Sequence, residues 1–246
     1  MDAFIAELIE LNKPHLIAEA EKVRVNTILL NERAASDAEI PAGATKTGGY
    51  PDLPPSISYP TEFVKETEAS MYFMAQINLR EVSPYDRDGL LPKTGMLYFF
   101  WCGYLTGESK VIYYNGDADL TRTLPTLPYF NGSVFTKEPL ETEEYCVSCF
   151  KTAYEYNLSG EKAPWNFDEQ FEELDGLLAV ADFQEDGTRL FGVPCGGNIG
   201  APHKGSVNLL WLPCQIGCLW NIYWRIEKED LARRNFDDVV YGYDID

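Results

Sequence analysis

Histidine is nearly missing from this chain: His15 and His203 are its two among 246 residues. A histidine-based acid–base pair or a histidine-rich metal site therefore has little material to work with. Basic residues are scarce as well, 20 Lys and Arg against 39 acids, for a net charge of −19. Such a surface repels phosphate backbones and anionic lipid, so nucleic acid and membrane are not the expected partners; a basic protein is. No apolar run approaches the roughly 20 residues needed to cross a bilayer. The opening Met1-Asp2-Ala3-Phe4 lacks the basic start of a secretory signal, and a cytoplasmic location is expected. The chain also carries no G-x-x-x-x-G-K-[ST], G-x-S-x-G or H-E-x-x-H pattern, the usual marks of phosphate loops, serine elbows and zinc proteases.

Six cysteines stand at positions 102, 146, 149, 195, 214 and 218. In a long chain without a secretory signal they read as reduced thiols, most of them in apolar strand-like runs. Cys146 and Cys149 with Cys214 and Cys218 have a spacing a four-thiolate zinc site would permit. Their flanks are strand-like aromatics, and two residues three apart in a strand face opposite sides, so packing thiols are the favoured reading. Cys195 lies just upstream of His203 in a glycine-rich loop, but nothing supplies an orienting group or an anion hole for a dyad. No catalytic residue, metal or cofactor is assigned, and an enzyme is the less favoured class.

What the chain has in quantity is apolar and aromatic surface, 45% and 13% of residues. That suffices for a core without staples. Residues 2–22 have helical spacing interrupted at Pro14, which either kinks the element or opens a second helix. Positions 41–60 hold five prolines and three glycines, too many for a regular element. Strands are expected at 71–79, 96–101 and 110–114, the last ending in the hairpin signal Asn115-Gly116. In 96–101, Leu97, Phe99 and Trp101 point one way and Met96, Tyr98 and Phe100 the other, so both faces are to be buried. Further strands are expected near 133–139, 146–153, 190–194, 207–212, 218–226 and 239–244, with helices at 167–178 and 227–234. Strands and helices do not alternate regularly, which favours α+β with largely antiparallel sheets and a few flanking helices.

Two stretches read as diverged copies of one pattern. The first is Gly49-Tyr50-Pro51, Gln76-Ile77-Asn78-Leu79, then Gly95-Met96-Leu97-Tyr98-Phe99-Phe100-Trp101; the second is Gly192-Val193-Pro194, Asn208-Leu209-Leu210-Trp211-Leu212, then Gly217-Cys218-Leu219-Trp220. A single domain over 1–246 is expected, built of pseudo-repeated halves at about 23–120 and 121–246 after an N-terminal helical segment 1–22. With these motifs, and with Lys46-Thr47-Gly48-Gly49-Tyr50-Pro51-Asp52-Leu53-Pro54, the chain resembles the YwqG-like family, a bacterial domain of unknown function. The resemblance implies an internally duplicated α+β fold and brings no catalytic residue. It also implies kinship with proteins thought to act as immunity proteins beside toxin genes. The chain departs from the family at Leu212-Pro213-Cys214-Gln215, where an acid-containing stretch usually stands.

Two functions compete. Positions 141–175 hold ten acidic residues and two lysines, interleaved with aromatics. Aromatic anchors and carboxylates together suit a basic protein partner such as a toxin, with Glu172, Glu173 and Asp175 as candidate contacts. The alternative is a small-ligand binder or enzyme using a cleft between the halves, lined by Tyr50, Asp52, Gln76, Asn78 and Trp101. The oligomeric state is not legible.

Overall fold

The computed structural model describes residues 2–103, 108–138, 145–156, 173–174, 177, 187–193, 205–216 and 219–245. Helix α1 (Ala3–Glu10) starts at Asp2, whose carboxylate accepts from the Phe4 amide. Pro14 has no amide hydrogen to lose, and it opens a 3-10 turn (Pro14–Leu16) leading into α2 (Ile17–Val23). Phe4, Leu8, Leu16, Ala20 and Val23 bury one face of this pair against Tyr156 and Leu174.

The strands follow in two runs. The first comprises β1 (Arg24–Ala34), β2 (Lys46–Thr47), β3 (Asp52–Leu53), β4 (Thr61–Val64), β5 (Thr67–Ser70), β6 (Tyr72–Asn78), the short helix α3 (Leu79–Val82), β7 (Met96–Trp101), β8 (Ser109–Tyr114), β9 (Thr121–Arg122), β10 (Tyr129–Phe130) and β11 (Phe135–Thr136). The second comprises β12 (Tyr145–Tyr156), β13 (Arg189–Phe191), β14 (Ser206–Ile216), β15 (Leu219–Glu227), helix α4 (Lys228–Arg233) and β16 (Val240–Ile245).

Ten strands form one sheet in the order β16-β15-β14-β13-β1-β12-β2-β6-β7-β8. Every neighbouring pair in it is antiparallel. Two long strands, β1 and β12, lie side by side at the centre, Arg24 opposite Tyr156 and Ala34 opposite Tyr145. From β12 the sheet continues through β2, β6, β7 and β8; from β1 it continues through β13 to β16. Each long strand thus borders the other run's second strand. A smaller sheet, β11-β10-β5-β4, and the pair β3-β9 complete the strands. The fold is α+β and mostly antiparallel, as the patterning implies.

The two wings of the large sheet curl toward each other. Phe99 on β7 meets Trp224 on β15 with ring centroids 5.2 Å apart, and Tyr113 on β8 meets Phe236 at 5.4 Å. The core between the wings takes Leu97, Phe99 and Trp101, while Met96, Tyr98 and Phe100 bury outward under the small sheet. Strand β7 is therefore buried on both faces, each large side chain contributing about 1.5–3 kcal/mol of apolar burial.

Several local expectations change in detail. Asn115-Gly116 ends β8 but closes no hairpin, because the next strand, β9, pairs with β3 instead. The proline-rich 41–60 stretch does hold regular pairing, as the two-residue strands β2 and β3. The strand near 133–139 is reduced to β11. Of the helix at 167–178, positions 173, 174 and 177 are described and are helical; the rest lies outside the described residues. No described helix is long and apolar enough to cross a membrane.

Candidate functional site

Gly48 and Gly49 take left-handed φ values of 68° and 67° in succession, a conformation that costs other residues a Cβ clash. The turn they make brings the chain back over its own start. Lys46, on β2 and 0% exposed, donates from Nζ to the Tyr50 carbonyl and to Asp37 Oδ1, the latter at 2.6 Å. The turn then delivers Asp52 to β3, opposite Arg122 on β9.

Asp52 is also fully buried, and its carboxylate is saturated with donors. Arg122 Nε reaches Oδ1 at 2.6 Å; the Gly43 amide and Gln76 Nε2 reach Oδ2 at 2.9 and 2.7 Å. Gln76 Oε1 in turn accepts from the Asp52 amide at 2.8 Å, so the two residues grip each other twice. Tyr98 donates its hydroxyl to the Asp52 carbonyl at 2.6 Å. Arg122 spends its remaining nitrogens on Asp37 Oδ1 at 2.6 Å and on the Ile40 carbonyl at 3.0 Å. Asn78 extends the set, donating to the Gly43 carbonyl at 2.8 Å and accepting from the Arg80 amide.

The electrostatics follow from that geometry. Burial pushes the Asp52 carboxyl up, but donation from Arg122, Gly43 and Gln76 outweighs it and holds the group below the usual carboxylate range. Burial lowers the Lys46 ammonium, and Asp37 and Asp52 only partly restore it. Burial likewise drives the Tyr98 phenol well above its ordinary value, helped by the Asp52 charge. Two cations, Lys46 and Arg122, face two anions, Asp37 and Asp52. The cluster is neutral and its carboxylate is filled. Chemically it can hold a loop in place; it offers no open acceptor or exposed nucleophile.

A counterpart stands in the other wing. Arg189 on β13, 1% exposed, donates from Nη2 to the Val193 carbonyl at 3.1 Å. Lys46 reaches Tyr50 across the same four-residue interval. Phe191 and Gly192 are consecutive left-handed residues at φ 63° and 78°, matching Gly48 and Gly49. The buried Glu155 serves Arg189 at 3.4 Å and accepts from the Val193 amide.

Of the residues expected at a cleft, Asp52 and Gln76 bond directly, Asn78 joins them through Gly43, and Tyr50 takes part through its carbonyl. Trp101 is not among them. It lies on the opposite face of β7 from Tyr98, buried beside Tyr72 at 6.3 Å. Glu173 contacts Lys13 and lies 3.3 Å from His15 Nε2, both on the N-terminal helical segment, and the lysine above all keeps its carboxyl low. Glu172 and Asp175 lie outside the described residues, as do the side chains of Cys146, Cys149, Cys214 and Cys218 and all of Cys195 and His203. Among the described residues no group of three or more His, Cys, Asp or Glu is placed to hold a metal.

The residues the sequence reading missed are the cations and their partners: Lys46, Arg122 and Asp37, then Arg189 and Glu155. The aligned Gly49-Tyr50-Pro51 and Gly192-Val193-Pro194 held a signal, since each is preceded by a cation three residues before its glycine. Arg122 carries no local signal, standing 70 residues from Asp52. A family model described as a domain of unknown function (DUF1963) matches residues 45–245, which takes in both turns but not β1 or Asp37. No curated protein matches the chain.

Proposed function

Because the chain belongs to the DUF1963 family, whose description assigns no activity, we propose from its own residues that it is a non-catalytic protein-binding module. In its most concrete form it is an immunity-type inhibitor that covers a basic toxin in the bacterial cytoplasm, in keeping with the YwqG-like motifs. One observation carries the reading. The dense ionic cluster among the described residues is neutral and closed, so it absorbs none of the excess of 39 acids over 20 basic residues. An acidic excess of this size accelerates encounter with a basic partner.

We further propose that the two wings descend from one duplicated half, the whole forming a single domain. The support is the matched order outward from β12 and β1. The bulges also match: β6 shifts register between Phe73 and Ala75, and β14 between Asn208 and Leu210. The cation-to-carbonyl contacts repeat as well. A small-ligand cleft between the wings draws less support, because apolar side chains such as Phe99 and Trp224 fill that space.

Co-expression with the toxin encoded beside its gene tests the leading reading. Growth should be restored, with a complex recoverable at low salt. Absence of both rescue and complex would sink it.

A further inference from the structure

Strand β16 ends the large sheet, and no described strand pairs with its outer side. Edge strands present a row of open N–H and C=O groups, and proteins ordinarily blunt them with lysine, proline or a covering segment. The opposite edge is blunted in this way. Strand β8 carries the exposed Lys110, and the Tyr114 hydroxyl at its end accepts from the Ala118 amide at 3.2 Å. Strand β16, Val240-Tyr-Gly-Tyr-Asp-Ile245, has neither lysine nor proline. Tyr241 and Tyr243 turn in to the core between the wings, and Val240 stands 66% exposed. At Gly242 the Tyr223 ring lies where a Cβ would be, so no side chain rises from the middle of the edge.

From this edge we infer that β16 receives an extended segment of a basic partner protein, which adds to the sheet as an eleventh strand. The inference rests on the binding-module reading and names where and how that module binds. Main-chain hydrogen bonds would supply affinity, as in other strand-addition complexes. Charge selects the occupant. Asp237 and Asp238 are exposed shortly before the strand. A second copy of this chain, itself at −19, would bring the same acids against them. An extended segment bearing lysine or arginine meets the opposite condition.

The probe is a short synthetic peptide of alternating lysine and valine, titrated against the full chain. Fluorescence anisotropy reads binding, and amide hydrogen exchange reads where it occurs. Binding should slow exchange across 240–245. It should weaken by about tenfold or more when alternate peptide amides are N-methylated, which keeps the charge and removes the backbone donors. Val240→Lys, at an exposed position, should weaken it to a similar degree without lowering the melting temperature. Equal binding by the methylated peptide, or protection elsewhere than β16, overturns the inference. So does a dimer in sedimentation that Val240→Lys abolishes, which would make a second copy the occupant. Toxin rescue that persists in Val240→Lys also overturns it while leaving the binding-module reading intact; loss of rescue in the wild-type chain strikes that reading alone.

Discussion

Asp52→Asn isolates the buried ion cluster, because it deletes one charge and almost no volume. In the wild-type chain the carboxylate accepts from Arg122, Gly43 and Gln76 while fully buried. An asparagine keeps one acceptor oxygen and turns an amide group toward donors, leaving Arg122 and the buried Lys46 with an incomplete countercharge. Breaking a buried, hydrogen-bonded pair by removing one partner costs about 3–5 kcal/mol. The low end applies here, since the Arg122 side chain is 24% exposed and keeps Asp37 and the Ile40 carbonyl. With a urea slope of about 2–3 kcal/mol per molar, the unfolding midpoint should fall by roughly 1–1.5 M. The pH dependence carries a sign as well. The folded-state pKa of Asp52 is depressed, so its stabilisation is present above the unfolded value near 4 and is lost as pH falls through the folded one. Asp52→Asn should remove that part of the acid sensitivity. In a double-mutant cycle with Arg122→Met, the double variant should lose less than the sum by about 1–2 kcal/mol. A midpoint within experimental error of wild type, or strict additivity, would refute the assignment of Asp52 and Arg122 as one unit.

Two further outcomes test other parts of the fold. Glu32 accepts from Thr47 and Thr188 on the strands and loops flanking the sheet centre, and burial raises its pKa despite those hydroxyls. A raised folded-state pKa works in the opposite sense: the stabilisation is present below the unfolded value near 4 and is lost as pH rises through the folded one. Glu32→Gln should therefore flatten the fall in melting temperature as pH rises above the ordinary carboxylate range, and an unchanged slope would contradict the reading. Gly192→Ala places a Cβ 2.6 Å from Glu155 Oε2 and 2.9 Å from Thr27 Oγ1 at a φ of 78°. Left-handed strain alone is about 1–2 kcal/mol, so chemical denaturation should show at least that loss; a neutral result would mean the turn relaxes freely.

Periodicity and punctuation are local, and they were readable along the chain. The alternation in β7 foretold that both its faces would be covered, and Pro14 foretold either a kink or a second helix, of which the structure takes the second. The repeated Gly-x-Pro turns marked the two places where a buried cation reaches forward to a carbonyl. Asn115-Gly116 shows where local signals stop. The dipeptide follows β8, but the partner of the next strand is chosen by what burial it completes, and β9 pairs with β3 rather than β8. Trp101 and Tyr98 illustrate the same limit, since alternation puts them on opposite faces without saying which face holds the polar cluster.

Sequence by itself therefore determined most of the described element types, the two-faced burial of β7 and the strongly negative charge, all consequences of side-chain identity at short range. Tertiary structure alone decided that β1 would lie against β12, that Asp52 would meet Arg122 70 residues on, and that β16 would come last among the described strands of the large sheet. Those outcomes depend on distant segments competing to bury the same apolar faces and neutralise the same charges, and no short stretch of chain contains both sides of that competition.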